Sequence, residues 1–396
     1  MLMPEPASGK SRNVYAFGAT SFLNDTATEM AYWIVPAFLV SIGAGPATLG
    51  VIEGIAESVA SAAKLFSGYL TDHVHRRKPL VVAGYTIANG VKPLLALAQT
   101  WWQVLFVRFA DRLSKGVRGA PRDVMLAESV DPSRIGSAFG LLQAMDSAGA
   151  IAGPLLALLL LSHVGLRGVF WAAAVPGLAS VVVVAFWARE TGKPKPVTAE
   201  PAPKTSPLRL PGAYYYMLFV VGLFSLGNSS DMFLVLRAQS AGIPAYQAPL
   251  LGLVFNLTYT AFAWPAGKLS DRIPRHAMVA AGYAVFAVVY WIFAAAPSRA
   301  ALWAMMSFYG LYYALTNPVL RAMVVDTAPK EARGRAFGIF YFVTSVAALL
   351  ASVLTGELWK YFSPELPLRL SSVLAAVSAV LLLVPRRRNQ PQMNAD

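Results

Sequence analysis

The sequence predicts an all-α integral membrane protein of twelve transmembrane helices, arranged as two pseudo-symmetric six-helix bundles. Composition is the first reason. Of 396 residues, 56% are hydrophobic and 13% charged, whereas soluble domains hold about 45–50% and about 25%. The second is length: twelve mostly apolar stretches each reach the roughly 20 residues that a helix needs to cross a hydrocarbon core. The third is repetition, since short motifs of the first half return in the second. So apolar a chain is not disordered. A β-barrel would alternate polar and apolar residues, and the run from Gly153 to Leu161 does not.

The first span, 14–42, follows a polar lead and is too long for a signal-peptide core, so it is expected to remain in the mature protein. It carries Asp25 and Glu29 one turn apart on one face. The second, 47–70, carries Glu53, Glu57 and Lys64, and the third, 79–99, carries Lys92. The fourth, 101–126, is the most charged: Arg108, Asp111, Arg112, Lys115, Arg118 and Arg122 recur at three- and four-residue steps and share a stripe. The fifth, 136–162, holds Asp146 and the series Gly149, Gly153, Pro154, and the sixth is 166–188. Residues 189–212, with Lys193-Pro194-Lys195-Pro196, read as an extended linker. The second half repeats the plan at 213–238, 248–270, 277–296, 300–325, 336–361 and 366–385, and is poorer in deep charge. Its polar positions are Asn228, Asp231, Asn256, Asn317 and Arg321. Three parts follow: a bundle over 1–188, a cytoplasmic linker over 189–212, and a bundle with a short tail over 213–396.

The net charge of +13 would suggest nucleic acid in a soluble protein. Here 22 of the 33 lysines and arginines fall in alternate inter-span segments or at the span ends beside them, and only 3 in or beside the others. Basic loops stay in the cytoplasm, so both termini are expected inside a bacterial inner membrane. The positive charges then need no partner beyond anionic lipid headgroups, and no nucleic acid. Zero cysteines exclude disulfides and thiolate metal sites.

Gly68-Tyr69-Leu70-Thr71-Asp72 returns as Gly267-Lys268-Leu269-Ser270-Asp271 after 199 residues, and Ala138-Phe139-Gly140 as Ala336-Phe337-Gly338 after 198. Asn24 and Glu29-Met30 have rough counterparts in Asn228 and Asp231-Met232. At these residues the chain resembles the major facilitator superfamily over essentially its whole length. Gly68 to Lys78 is similar to that family's loop signature, with His75 where glycine is usual. Arg112 to Ala120 resembles its fourth-helix motif, with Lys115 at a position often held by Gln. Gly149 to Pro154 partly resembles the fifth-helix motif associated with antiporters. The resemblance implies a monomer without cofactors, driven by a proton gradient. It also implies a latch of Gly68, Asp72, Arg76, Arg77 and Asp123, with Gly267 and Asp271 in the other half. That latch would hold the outward-open state.

Charges at bilayer depth face a water-filled cavity or a partner. Asp111 is expected to pair within its helix with Arg108 or Lys115, and Asp25 or Glu29 to compete for Arg112. Water exclusion favours a neutral acid and a neighbouring arginine favours a charged one, so such an acid can respond to conformation. A permanent buried ion pair that fixes registry is the plainer alternative. Glu53 and Glu57 are either a proton entry point or solvated in an outer vestibule. Asp146 either binds substrate or meets a basic partner. Among the tyrosines of the second half most are expected in the interfacial belt. Six acids against five bases in the first half suggest a nearly neutral cavity that suits a zwitterionic or amphipathic solute and leaves anions, cations and metal chelates open.

These readings point to a secondary transporter that exports a drug-like or metabolite solute by proton antiport. Uptake by proton symport is the alternative within this fold. A membrane-embedded enzyme or lipid-handling protein is disfavoured, because no HExxH, GxSxG or GxxxxGK[ST] appears and no metal site is expected.

Overall fold

The computed structural model describes residues 12–32, 34–44, 46–191, 210–244, 248–296 and 298–384. The expected linker lies almost wholly outside the described residues, as do both termini. Among the described residues the spans are built of helices. The first half comprises α1 (Arg12–Tyr32), α2 (Val35–Ser41), α3 (Pro46–His73), α4 (Lys78–Val91), α5 (Trp101–Glu128) and α6 (Ile135–Trp187). The second comprises α7 (Gly212–Ser225), α8 (Met232–Ser240), α9 (Ala248–Ser270), α10 (Arg275–Ala295), α11 (Arg299–Thr327), α12 (Arg333–Tyr361) and α13 (Glu365–Leu383).

Local chemistry explains the ends. Thr100 and Gln103 form a capping box at the start of α5. Ser298 accepts from the Ala301 amide at the start of α11, 3.2 Å. The expected fifth and sixth spans run together in α6 and part only at Gly165, whose φ of 66° belongs to the left-handed region that glycine tolerates. Pro154 lies within α6 without interrupting it. The expected seventh span is not continuous. It breaks between α7 and α8 at Gly227-Asn228-Ser229-Ser230-Asp231, side chains that compete with the helix for backbone hydrogen bonds. Unwound backbone at membrane depth is tolerated where it lines a cavity.

Among the described residues five helices are long and apolar enough to cross a membrane on length and composition alone. α5 is not among them because of its charge stripe, and it is covered by its neighbours instead: Arg108, Asp111, Arg118 and Asp123 are all buried.

The two halves meet at the end bearing loops 74–77, 129–134, 271–274 and 328–332, here termed the basic end. α3 packs on α12 and α9 on α6, each through paired glycines. A methyl group on Gly68 would lie 2.5 Å from Gly338 Cα and 2.6 Å from Gly334 O. One on Gly140 would lie 2.6 Å from Ala263 O. Backbone cannot yield as a side chain can, so only glycine permits this approach. Gly149 and Gly153 serve a different contact, within the first half, where α6 lies against the α1 backbone at Phe22 and Thr26.

Gly68→Ala should therefore force α3 from α12 at a cost of about 1–3 kcal/mol. The chain lacks cysteine, so spin labels placed by His73→Cys and Glu331→Cys report the separation directly. A broadened, longer distance distribution is expected, and an unchanged one would contradict the packing argument.

Candidate functional site

Between the halves lies a cavity of about 810 Å³. The first half contributes Asn24, Asp25, Lys64, Lys115, Arg118, Arg122 and Asp146. The second contributes the unwound segment (Asn228 to Asp231) with Tyr312, Tyr313, Asn317, Arg321, Phe340 and Tyr341. One wall is charged and the other largely aromatic.

At the basic end the cavity is closed in two layers. In the outer layer Asp72, at the end of α3, accepts from the Gly334 and Arg335 amides of α12 at 2.7 and 2.8 Å. Asp271, at the end of α9, does the same to the Gly136 and Ser137 amides of α6, both at 2.8 Å. Each carboxylate thus satisfies orphan donors of a helix N-terminus in the opposite half and complements its dipole. Deeper in, the Tyr341 hydroxyl donates to Asp123 and the Arg321 guanidinium to Gln143. Phe139 and Phe337 fill the space between, with centroids 6.1 Å apart and no solvent exposure. These are symmetry mates: Asp123 and Arg321 stand 198 residues apart, as do Gln143 and Tyr341. The two inner bonds occupy equivalent places but carry an acid on one side and a base on the other.

The structure rearranges several expected partnerships. Arg76 is exposed and makes no ion pair among the described residues, whereas its counterpart 199 residues on, Arg275, pairs with Asp271 at 3.1 Å. Arg77 instead binds Glu128 at 2.7 Å. Glu128, not Asp123, is the acid at the end of α5 that ties in the 74–77 loop, while Asp123 lies deeper and pairs with Arg122 at 3.0 Å. Asp111 pairs with the buried Lys92 at 3.6 Å and more loosely with Arg108 at 3.9 Å. Those three sit behind the wall rather than on it. Lys92 also donates to Thr28 and Asn89, and Asn89 to Asn24, whose amide binds Asp25 at 2.9 Å. Arg112 and Glu29 are not wall residues either. The early part of the α5 stripe is turned to Lys92, and Lys115, Arg118 and Arg122 of the later part reach the cavity.

In the second half Asp231 accepts from Tyr309 at 2.6 Å and Tyr313 at 3.2 Å, and Asn317 donates to the Tyr259 hydroxyl at 2.8 Å. Among the described residues Asn256 bonds only to its own helix, at Gly252 O. The tyrosines are largely interior: Tyr283, Tyr290 and Tyr309 are fully buried, and Tyr312 nearly so. The side chains of Glu53 and Glu57 lie outside the described set. Gln143 and Tyr341 were not singled out from sequence, although the 198-residue offset marks them as a pair, and Arg118 and Arg122 were read only as the later part of the charged stripe.

The chain matches the Major Facilitator Superfamily over residues 17–244 and 216–395. An uncharacterized MFS-type transporter of Methanocaldococcus jannaschii is 35% identical over 381 residues, covering 94% of each chain. The multi-drug resistance efflux pump PmrA of Streptococcus pneumoniae is 25% identical over 361 residues, covering 85% of this chain and 88% of its own. The crystal structure of the human organic anion transporter MFSD10 shares the fold, with a TM-score of 0.79 at 13% identity, covering 96% of this chain and all of that one.

The double caps make Asp72 and Asp271 equivalent. Asp72→Ala and Asp271→Ala should each lower stability by about 1–2 kcal/mol. Thermal unfolding in detergent checks this. A variant indistinguishable from the parent would show that its cap contributes nothing.

Proposed function

This chain belongs to the major facilitator superfamily, and on that premise we propose that it exports a small organic solute by proton antiport and alternating access. Family members are membrane transporters of small molecules and need no resident cofactor. What carries the proposal further is one arrangement: a cavity between two halves, closed at one end, with carboxylates and arginines together on its wall.

The basic loops favour the cytoplasm for the closed end, so this conformation is read as outward-open, with both termini inside a cell membrane. Its switch is the release of the two caps and of the Asp123–Tyr341 and Gln143–Arg321 bonds, with closure at the opposite end. Each bond has one ionised partner and contributes about 1.5–3 kcal/mol, small enough that a few bonds formed at the opposite end offset their loss.

Proton coupling is assigned to Asp25 and Asp146. Both line the cavity, and Asp146 lies in the field of Asp25, Arg122 and Arg321. A proton on either carboxylate relieves repulsion between the acids and weakens the hold on Arg122, which in turn bonds Asp123 of the closing layer. The proton state of the wall is thereby tied to the closure. Arg112, Glu29, Arg108 and Asp111 are left as support behind the wall. Asp231, held by two tyrosines in the unwound segment, is a candidate substrate contact rather than a proton carrier. Export is favoured over uptake by the efflux function named for PmrA and by the close α6–α1 packing at Gly149 and Gly153.

Proteoliposomes with an imposed pH gradient and a solute panel test direction and coupling together. Solute movement that dissipates the gradient by exchange is expected, and co-accumulation with protons would overturn antiport. Asp25→Asn and Asp146→Asn should retain solute binding within about threefold, under 1 kcal/mol, yet lose pH-driven accumulation. Coupling that survives in both variants would remove these acids from the mechanism.

A further inference from the structure

Five cations and three acids line the cavity among the described residues, an excess of positive charge that the near-neutral sequence count did not suggest. The distribution of partners matters more than the count. All three acids are engaged. Asp231 is held by Tyr309 and Tyr313, Asp25 accepts from Asn24, and Asp146 accepts from Ser21 in the field of two arginines. Among the cations, Arg122 pairs with Asp123, Arg321 donates to Gln143, and Lys64 donates to Ser345 at 2.9 Å. Lys115 and Arg118, one turn apart on α5, have no carboxylate within ion-pair distance among the described residues.

Arg118 is built into place. Its guanidinium lies 4.3 Å from the Tyr85 ring centroid, and its stem packs on Gly84, where an added methyl would come within 2.7 Å of Arg118 Cβ. The side chain is 5% exposed, and its Nη1 has no hydrogen-bond partner. A buried, unsatisfied donor on a charged group is costly, and a fixed guanidinium is suited to a planar anion. Next to it Gly119 lines the cavity, and a methyl there would meet nothing within 4 Å. There is room for a ligand group beside Arg118. The equivalent positions of the second half, 198 residues on, are Tyr313 and Thr316. Of these two, Tyr313 lines the opposite wall, while Thr316 is buried and bonds to Tyr312 O of its own helix, so neither supplies a cation there.

We propose that the transported solute is an amphipathic organic anion, its acidic group bound by Lys115 and Arg118 and its ring or apolar body against Tyr312, Tyr313 and Phe340. This rests on reading the cavity as the transport site. The volume of about 810 Å³ is that of a drug-sized ligand site, and tyrosine faces suit such a body.

Three naphthalene probes of one shape test it on the full chain in detergent by calorimetry: 1-naphthylacetate, its neutral amide and the cationic 2-(1-naphthyl)ethylamine. The acid should bind about tenfold tighter than the amide, with the amine weakest. Lys115→Gln faces the open cavity and should fold normally. It should erase most of that preference and leave amide affinity within about threefold. Arg118→Gln should do likewise, and Arg118→Lys should keep part of it. Equal affinity for acid and amide, tightest binding of the amine, binding of none of the three, or a preference that survives Lys115→Gln with Arg118→Gln would each overturn the proposal. Proteoliposome export separates this from the exporter reading. Export of the amine but not the acid overturns the anion site and leaves the exporter. Tight binding of the acid without export supports the anion site and overturns the exporter.

Discussion

Asp72 and Asp271 each give both carboxylate oxygens to the first turn of a helix in the opposite half. The arrangement depends on this pair of contacts. A helix N-terminus exposes amide groups that its own backbone cannot satisfy, and here the other half supplies the acceptor. The carboxylates reach those amides only because Gly68, Gly334 and Gly338 on one side, and Gly136, Gly140 and Gly267 on the other, let the helices nearly touch. Once these ends are clamped, the halves can only splay at the opposite end, and a cavity between them follows.

Above the clamp the symmetry is broken in its chemistry. The inner bonds occupy equivalent places, yet one presents Asp123 to Tyr341 and the other Arg321 to Gln143. The walls diverge in the same way, with Lys115 opposite in the repeat to Tyr313. Duplication therefore supplies the geometry of the fold, and divergence of single residues supplies a charged wall facing an aromatic one. Behind the charged wall, Lys92 and Asp111 form a buried pair tied through Asn89 and Asn24 to Asp25. Such a network holds Asp25 in register, since each polar group buried beside α1 must be satisfied or removed.

The spans and the recurring glycine and aspartate motifs were legible because each is written locally, in runs of apolar residues or in short repeats. The break in the seventh span was legible in principle from Gly227-Asn228-Ser229-Ser230-Asp231, but hydropathy averages over it. The partnerships of the α5 stripe were not legible. Arg108 through Arg122 share one stripe at helical spacing, yet α5 turns its early part to Lys92 and its later part to the cavity.

By itself, the sequence determined the helical spans, the two related halves and the family. Hydrophobic length and motif recurrence are properties of the chain that need no neighbour. Only the tertiary structure decided that Asp72 binds amides rather than Arg76, that Asp123 meets Tyr341, and that Lys115 and Arg118 line the cavity with no acid within ion-pair distance among the described residues. Those outcomes depend on the rotation and depth of each helix against the next. Rotation and depth are set by contacts between residues more than a hundred positions apart, such as Gly68 with Gly338, which no local pattern encodes.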